Sequence, residues 1–372
     1  MEQPKLSTTN ENEIVCKNCA AKLVFAPGTS SLKCEFCGTQ NEIVIDKDAL
    51  NDATREIDFL EFIRTQATSS ELMEVHTVKC ASCGASTTFD ANVVSSSCDF
   101  CAAPMVTKQE SSNKVIKPKA VLPFKIDTRK SLELFRTWIK KLWWAPNDLK
   151  KKVQQNGKLA GMYLPYWTYD ALTESDYTGE RGDDYQETES YTEDGETKTR
   201  TVTKTRWTWV SGSVRNDFDD VFVVASKSLP EKYVDALEPW NLNELVPYND
   251  QFLSGFKTET YQVNVEAGFD RAKEKMDVEI NRTIRNDIGG DHQRISSKNT
   301  SYDNITFKHI LLPVWISAYR YKTKVYRFMV NGQTGEVQGE RPYSWIKITL
   351  AILAAIGTIA LLYYFFGGNS AQ

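Results

Sequence analysis

Eight cysteines form two copies of one pattern. Cys16 and Cys19 are followed, after fourteen residues, by Cys34 and Cys37, and Cys80 and Cys83 are followed in the same way by Cys98 and Cys101. Two residues separate the members of each pair, and no cysteine falls outside the pattern. One tight turn can present such a pair to a metal ion, and fourteen residues suffice for a hairpin that returns with the second pair. Four thiolates in tetrahedral array suit Zn2+, so the pattern implies two zinc ions, one per module. Disulfides also fit even counts, but no secretory signal precedes Cys16 and the first 45 residues contain no long apolar run. Zinc serving only as a structural staple is as natural a reading as zinc in a recognition module.

The copies are offset by 64 residues, and the same offset places Phe25 on Phe89 and Phe36 on Phe100. Gly38 and Gly84 each follow the second cysteine of a pair, where a turn that folds N–H groups toward sulfur favours positive φ. Ala20 and Ala102 hold the corresponding places in the other two turns. Modules of about 30 residues bury too little apolar surface to fold unaided, so metal affinity there is folding free energy.

The far end of the chain points to a membrane. From Ile348 through Phe366 run nineteen residues without a charge, about 28 Å of helix and one bilayer crossing. Tyr343 and Trp345 precede the run and Tyr363 and Tyr364 fall near its end, where amphipathic rings favour the headgroup zone. Arg341 and Lys347 flank it on the N-terminal side, and the tail from Gly367 to Gln372 has no basic residue. The positive-inside rule then expects a single-pass protein of the cell membrane with its N-terminal bulk in the cytoplasm. A reducing cytoplasm keeps thiols available for zinc, so compartment and chemistry agree. The net charge of −4 over 372 residues gives no general pull toward nucleic acid.

Stepping along the chain, the expected units are a zinc ribbon at 13–45, a connecting helix at 46–73, a second ribbon at 76–107, a linker at 109–119, a β-rich α+β domain at 120–341, and a transmembrane helix at 346–366. The fold class is thus two small metal-stapled β ribbons, a larger α+β, β-rich domain and one C-terminal spanning helix. In the connecting segment Leu50, Ile57, Leu60 and Ile63 recur at near-helical spacing. A helix is expected over 131–144 behind Thr128 or Asp127, and another over 268–286. Strands are expected at 163–169, 199–214, 221–225, 258–265, 312–321 and 324–330, with a turn at 331–335.

Two stretches echo each other: Leu164-Pro165-Tyr166-Trp167 and Leu312-Pro313-Val314-Trp315. Each is expected to open a strand, with its tryptophan under the sheet, which suggests two halves of one β architecture. Residues 173–196 hold ten acidic side chains and one basic one, Arg181, and Lys198, Arg200, Lys204 and Arg206 follow. A long solvated hairpin whose arms attract each other explains this better than an acidic flap for a basic partner.

Nothing in the sequence identifies a catalytic centre, and the chain is read as no enzyme. There is no phosphate-cradling G-x4-G-K-[ST], no H-E-x-x-H and no G-x-S-x-G. Of the three histidines, His76 is superfluous beside a complete four-cysteine set, His292 lies in a Gly-Gly-Asp-His-Gln loop, and His309 is expected to be a satisfied polar contact.

Cys16-Lys-Asn-Cys19, Cys34-Glu-Phe-Cys37-Gly, Cys80-Ala-Ser-Cys83-Gly and Cys98-Asp-Phe-Cys101 combine here with the two Leu-Pro-x-Trp strands. The run from Val330 to Ile348 then leads into the terminal helix. This combination resembles bacterial zinc-ribbon membrane proteins of the TFIIB-type ribbon class, some of them labelled replication-restart-helicase-like. The motor motif behind the helicase label is absent. The resemblance implies a cytoplasmic zinc-ribbon platform that recruits phage-shock-type and SPFH-type membrane-stress proteins. It carries over the eight cysteines as ligands and the C-terminal helix as anchor, and no catalytic residue. The first expectation is therefore an adaptor that holds cytosolic proteins at the bilayer, to which residues 348–366 attach it. Nucleic-acid binding is disfavoured: ribbon one has Lys17, Lys22 and Lys33, and ribbon two only Lys79 and Lys108 at its margins. A membrane-tethered enzyme with its site in 120–341 is the third reading.

Overall fold

The computed structural model describes residues 14–45, 55–65, 72–88, 95–101, 103–106, 110–146, 159–193, 196–321 and 324–366, together with Asp48, Leu50 and Ala53. The first ribbon is an antiparallel sheet of β1 (Leu23–Phe25), β2 (Ser31–Cys34) and β3 (Gln40–Glu42). Next come β4 (Ile57–Asp58) and helix α1 (Phe59–Thr65). The one helix expected over 46–73 is therefore broken: Ile57 and Asp58 pair with Phe307 and Thr306, and Leu72 and Met73 already belong to a strand. Aromatic packing overrides the aliphatic stripe. Leu60 is exposed, whereas Phe59 and Phe62 are buried with their rings 6.3 and 5.1 Å from that of Phe307.

The second ribbon contains β5 (Leu72–Lys79), β6 (Ser86–Thr87), β7 (Ser95–Ser97) and β8 (Pro104–Val106). The expected linker at 109–119 is instead mostly β9 (Glu110–Ile116), paired with β5 from Leu72 opposite Ile116 to Val78 opposite Glu110. Backbone pairing and the burial of Val115 and Ile116 outweigh its polar composition.

A nine-stranded sheet organises the rest. It contains β4, β10 (Ala120–Val121), β11 (Ala160–Glu193), β12 (Glu196–Val224), β13 (Val246–Pro247), β14 (Lys257–Thr258), β15 (His292–Tyr321), β16 (Lys324–Asn331) and β17 (Val337–Gly339). The helices around it are α2 (Thr128–Lys141), α3 (Glu231–Asp235), α4 (Asp250–Leu253) and α5 (Val265–Ile288). Helix α2 starts three residues before the expected position because the Asp127 carboxylate, one of the two expected caps, accepts from the Lys130 N–H, and it stops three residues early, at Lys141. The strand expected at 258–265 shrinks to Lys257–Thr258 for a similar reason. Asn264 accepts from the Ala267 N–H at 2.9 Å and commits the chain to α5. Along α5, Phe269, Ala272, Met276, Ile280, Ile284 and Ile288 form the buried stripe, and Gly289 at φ 65° ends it.

The two Leu-Pro-x-Trp stretches lie side by side, antiparallel, with Leu164 directly opposite Leu312. Their prolines do not open strands; both lie inside strands of 34 and 30 residues. Each occupies a gap between outer neighbours, where no ladder needs its missing N–H. On β11 the pairing with β14 ends at Tyr163 and that with β12 begins at Tyr166; on β15, β10 ends at Leu311 and β16 begins at Val314. Trp167 and Trp315 are both buried, and their indole N–H groups donate to the Val263 and Ile126 carbonyls at 2.8 Å.

Alternation along these strands creates two apolar faces. Met162, Leu164, Tyr166, Leu312, Val314 and Ile316 point into one core with Cys80, Cys98 and Phe100 of the second ribbon. Tyr163, Leu311, Trp315 and Val330 point into another with Cys16, Phe25 and Cys34 of the first ribbon and Phe135 and Ile139 of α2. The ribbons therefore sit on opposite faces of one sheet. Beyond this body β11 and β12 continue as a hairpin paired out to Glu193 opposite Glu196. Its arms are joined by Arg200–Glu189 at 3.3 Å, Lys204–Glu187 at 2.9 Å and Lys198–Glu193 at 2.9 Å, as expected for cross-strand attraction.

At the C-terminal end α6 (Trp345–Phe366) contains a 19-residue stretch of mean hydropathy 2.1, none of it buried in the molecule. By length and composition it suffices to cross a membrane.

Candidate metal centres

Each ribbon gathers its four sulfurs into one cluster. Cys16, Cys19, Cys34 and Cys37 form the first, and Cys80, Cys83, Cys98 and Cys101 the second, with all sulfurs of a cluster within 4.8 Å of one another. In the first, Sγ–Sγ distances are 3.5 Å for Cys16–Cys37, Cys19–Cys34 and Cys19–Cys37. In the second they are 3.7 Å for Cys80–Cys101 and Cys83–Cys98. Metal–sulfur bonds of about 2.3 Å put tetrahedral ligands about 3.8 Å apart, whereas a disulfide requires about 2.05 Å. The thiols are free. The donor sets thus fit a tetrahedral thiophilic ion and exclude the disulfide alternative.

The turns explain how the thiolates are tolerated. Gly38 (φ 74°), Gly84 (φ 78°) and, without glycine's freedom, Ala20 (φ 58°) adopt the left-handed region after a cysteine pair. Ala102 and Phe89 lie outside the described residues. The Gly38 and Gly84 N–H groups donate to the Cys34 and Cys80 carbonyls. Backbone N–H groups of Asn18 and Cys19 hold the Cys16 thiol below its usual pKa, and the Thr39 hydroxyl and N–H bring Cys37 down to about 5. Burial pushes Cys83 up to about 11 and Cys98 higher still. Four thiolates so close repel one another strongly, and a divalent cation relieves that repulsion.

The two clusters differ in what surrounds their second turn. In the second ribbon Phe100 is fully buried, its carbonyl accepts from Arg327 Nε at 2.6 Å, and Asp99 pairs with Lys257 at 2.7 Å. In the first, the corresponding Glu35 and Phe36 are exposed, Phe36 to 82 %, with no ion pair for Glu35 among the described residues. One segment fastens both modules. The Ser254 hydroxyl donates to Leu23 O and the Phe25 N–H to Ser254 O; farther on, the Thr88 N–H donates to Thr258 O and the Thr260 N–H to Ser86 O.

Sequence reading missed two polar clusters. Glu259, fully buried between Ser228 and Gln262, has its carboxyl pushed up to about 7 by burial. Lys308, also buried, lies 2.8 Å from Asp220 and 3.3 Å from Glu56, beside Asp170 and Asp219. The lysine already supplies a cation to Glu56 and Asp220. Neither set matches a known local spacing signature: Glu259 meets Ser228 across 31 residues, and Lys308 meets Glu56 across 252. His309 lies within β15, with Nδ1 2.9 Å from Ile116 O and, among the described residues, no hydrogen-bond partner for Nε2, so its expected satisfaction is half met; burial holds it down to about 4. His292 is exposed, 3.2 Å from Asp184. It lines an open depression with Thr205, Trp207, Asp291, Gln293 and Arg294. His76 lies in β5 opposite Ser112.

Fold and site together define a protein with two four-cysteine clusters of zinc-ribbon type, a large β-rich domain and one helix apolar enough to span a bilayer. The chain is 28% identical over 236 residues to a protein of Bacillus subtilis (strain 168) described as uncharacterized protein YdjG. That match covers 63% of this chain and 66% of the relative. No family model matches the chain, and no solved structure matches it.

Proposed function

We propose that this protein is a membrane-anchored zinc-ribbon adaptor that recruits cytosolic proteins to the cell membrane in a membrane-stress response. Each ribbon holds one Zn2+ through its four cysteines, and α6 crosses the bilayer once with residues 14–345 on the cytoplasmic side. The zinc shapes each module and leaves its turns free for contact. The observation that carries the reading is Phe36: the equivalent Phe100 is fully buried, while Phe36 is 82 % exposed. A large ring held outward by a rigid metal turn is a ready anchor for a protein partner. Partners of the phage-shock or SPFH type follow from the resemblance alone.

Affinity capture of tagged full-length protein from membranes tests this, with wild type compared with Phe36→Ala and Cys16→Ser/Cys19→Ser. Specific proteins retained by wild type and lost from both variants support the adaptor. Identical captures would end it, and salt-sensitive binding of DNA or RNA through the first ribbon would replace it with nucleic-acid recognition.

A further inference from the structure

Two regions some 200 residues apart in sequence meet where the terminal helix begins. After α2 ends at Lys141, Leu142 and Ala145 are buried while Trp143 and Trp144 between them are 75 % and 39 % exposed. The Ser344 N–H donates to the Trp144 carbonyl at 2.8 Å. Lys347 Nζ donates to the carbonyls of both Trp143 and Ala145 at 2.9 Å. These three bonds hold the α2 end against the first turn of α6, whose Trp345 is 80 % exposed.

Lys347 directly precedes the uncharged run, so the tie sets the backbone of Trp143 and Trp144 beside the residues that lead into it. That is the depth at which indole rings favour the bilayer interface. Lys140 and Lys141 are exposed at the end of α2, and Arg341 lies over the Tyr343 ring at 5.6 Å. Cations at this level pair with anionic headgroups, and their aliphatic stems line the apolar boundary. Buried Phe135 and Ile139 fix α2 on the domain, so whatever holds Trp143 also orients the sheet and both ribbons.

We propose that the C-terminal turn of α2, through Trp143 and Trp144 with Lys140 and Lys141, is a second membrane contact that docks the domain on an anionic phospholipid surface. It rests on the reading of α6 as the span. The domain then meets the bilayer in one orientation instead of swinging from a single helix.

The test reconstitutes the full chain in phosphatidylcholine vesicles with and without phosphatidylglycerol, carrying bromines near the headgroup, and reads tryptophan quenching. Trp143→Phe/Trp144→Phe should remove more of the quenched emission than Trp345→Phe does. Lys140→Glu/Lys141→Glu should reduce quenching in anionic but not in neutral vesicles. If the double tryptophan variant is quenched as wild type is, while the chain still floats with the vesicles and Trp345→Phe loses quenching, the docking surface is wrong and the span stands. If the chain does not float with the vesicles, the span fails and the docking proposal with it. Burial of both tryptophans against bound protein, with no quenching from lipid, would also overturn it.

Discussion

The same module appears twice on this sheet, and its copies are used differently. In the second ribbon the turn Asp99–Phe100 is absorbed by the domain: the ring is buried, the carbonyl is held by Arg327, and the carboxylate by Lys257. In the first ribbon the turn Glu35–Phe36 has the same chemical elements and faces solvent. Both modules are packed against the sheet through their strands, so looseness does not explain the contrast. Of two turns built on one cysteine pattern, one serves as structure and the other is presented, and the buried one shows what a complementary surface looks like: an apolar recess beside a guanidinium and an ammonium group.

Metal loss should separate the copies most sharply. Cys98→Ser should cost about one zinc per chain and loosen the core that Cys98 shares with Leu164 and Leu312, seen as protease cleavage within the β domain. Cys37→Ser, on the exposed turn, should also cost about one zinc, with cleavage confined to the first ribbon. Metal analysis with limited proteolysis reads both, and equal spread of cleavage would erase the distinction.

Phe100→Ala should destabilise the folded protein by about 3–5 kcal/mol, as for other large core truncations. Phe36→Ala should change stability by no more than about 0.5 kcal/mol. Denaturant unfolding of the two variants would break the comparison if their effects were alike. Arg327→Ala removes a donor from a buried carbonyl and should cost about 1–3 kcal/mol.

A smaller effect concerns pH. Glu259 lies on the segment that fastens both ribbons and bridges to Thr87 of the second. Its folded-state pKa of about 7 stands above the ordinary 4.5, so the folded protein binds the proton more tightly. The resulting stability is complete below about pH 4.5 and is lost as pH rises through 7. Glu259→Gln should flatten that loss in thermal melts between pH 5 and 8. His309 acts in the opposite sense: held down to about 4 by burial, it contributes fully above its usual 6.5 and less as pH falls toward 4. A Glu259→Gln profile parallel to wild type would deny the buried carboxyl this role.

What was legible in the sequence was local. The cysteine spacing identified both clusters because a metal turn is encoded within four residues, and the uncharged C-terminal run and the Asn331–Gly335 turn were visible for similar reasons. The echo of Leu164-Pro165 and Leu312-Pro313 also marked a real relation, since the two stretches pair directly. Misreadings arose where distant partners decide. The expected helix was cut short because Phe307 and Thr306 are there to pair with Ile57 and Asp58, and Glu110–Ile116 became a strand because β5 lay alongside. No spacing rule tells that the ribbons take opposite faces, or that Phe100 is buried and Phe36 is not, because the partners of the second turn, Arg327 and Lys257 among them, lie more than 150 residues away.

The contrast between the two turns is tested most directly by placing the photo-cross-linker p-benzoylphenylalanine at position 36 or position 100 of the full chain in native membranes. Adducts to other proteins are expected from position 36, and from position 100 only internal links to the segment around Arg327. Internal links alone from position 36, or the same external adducts from both positions, would contradict this contrast.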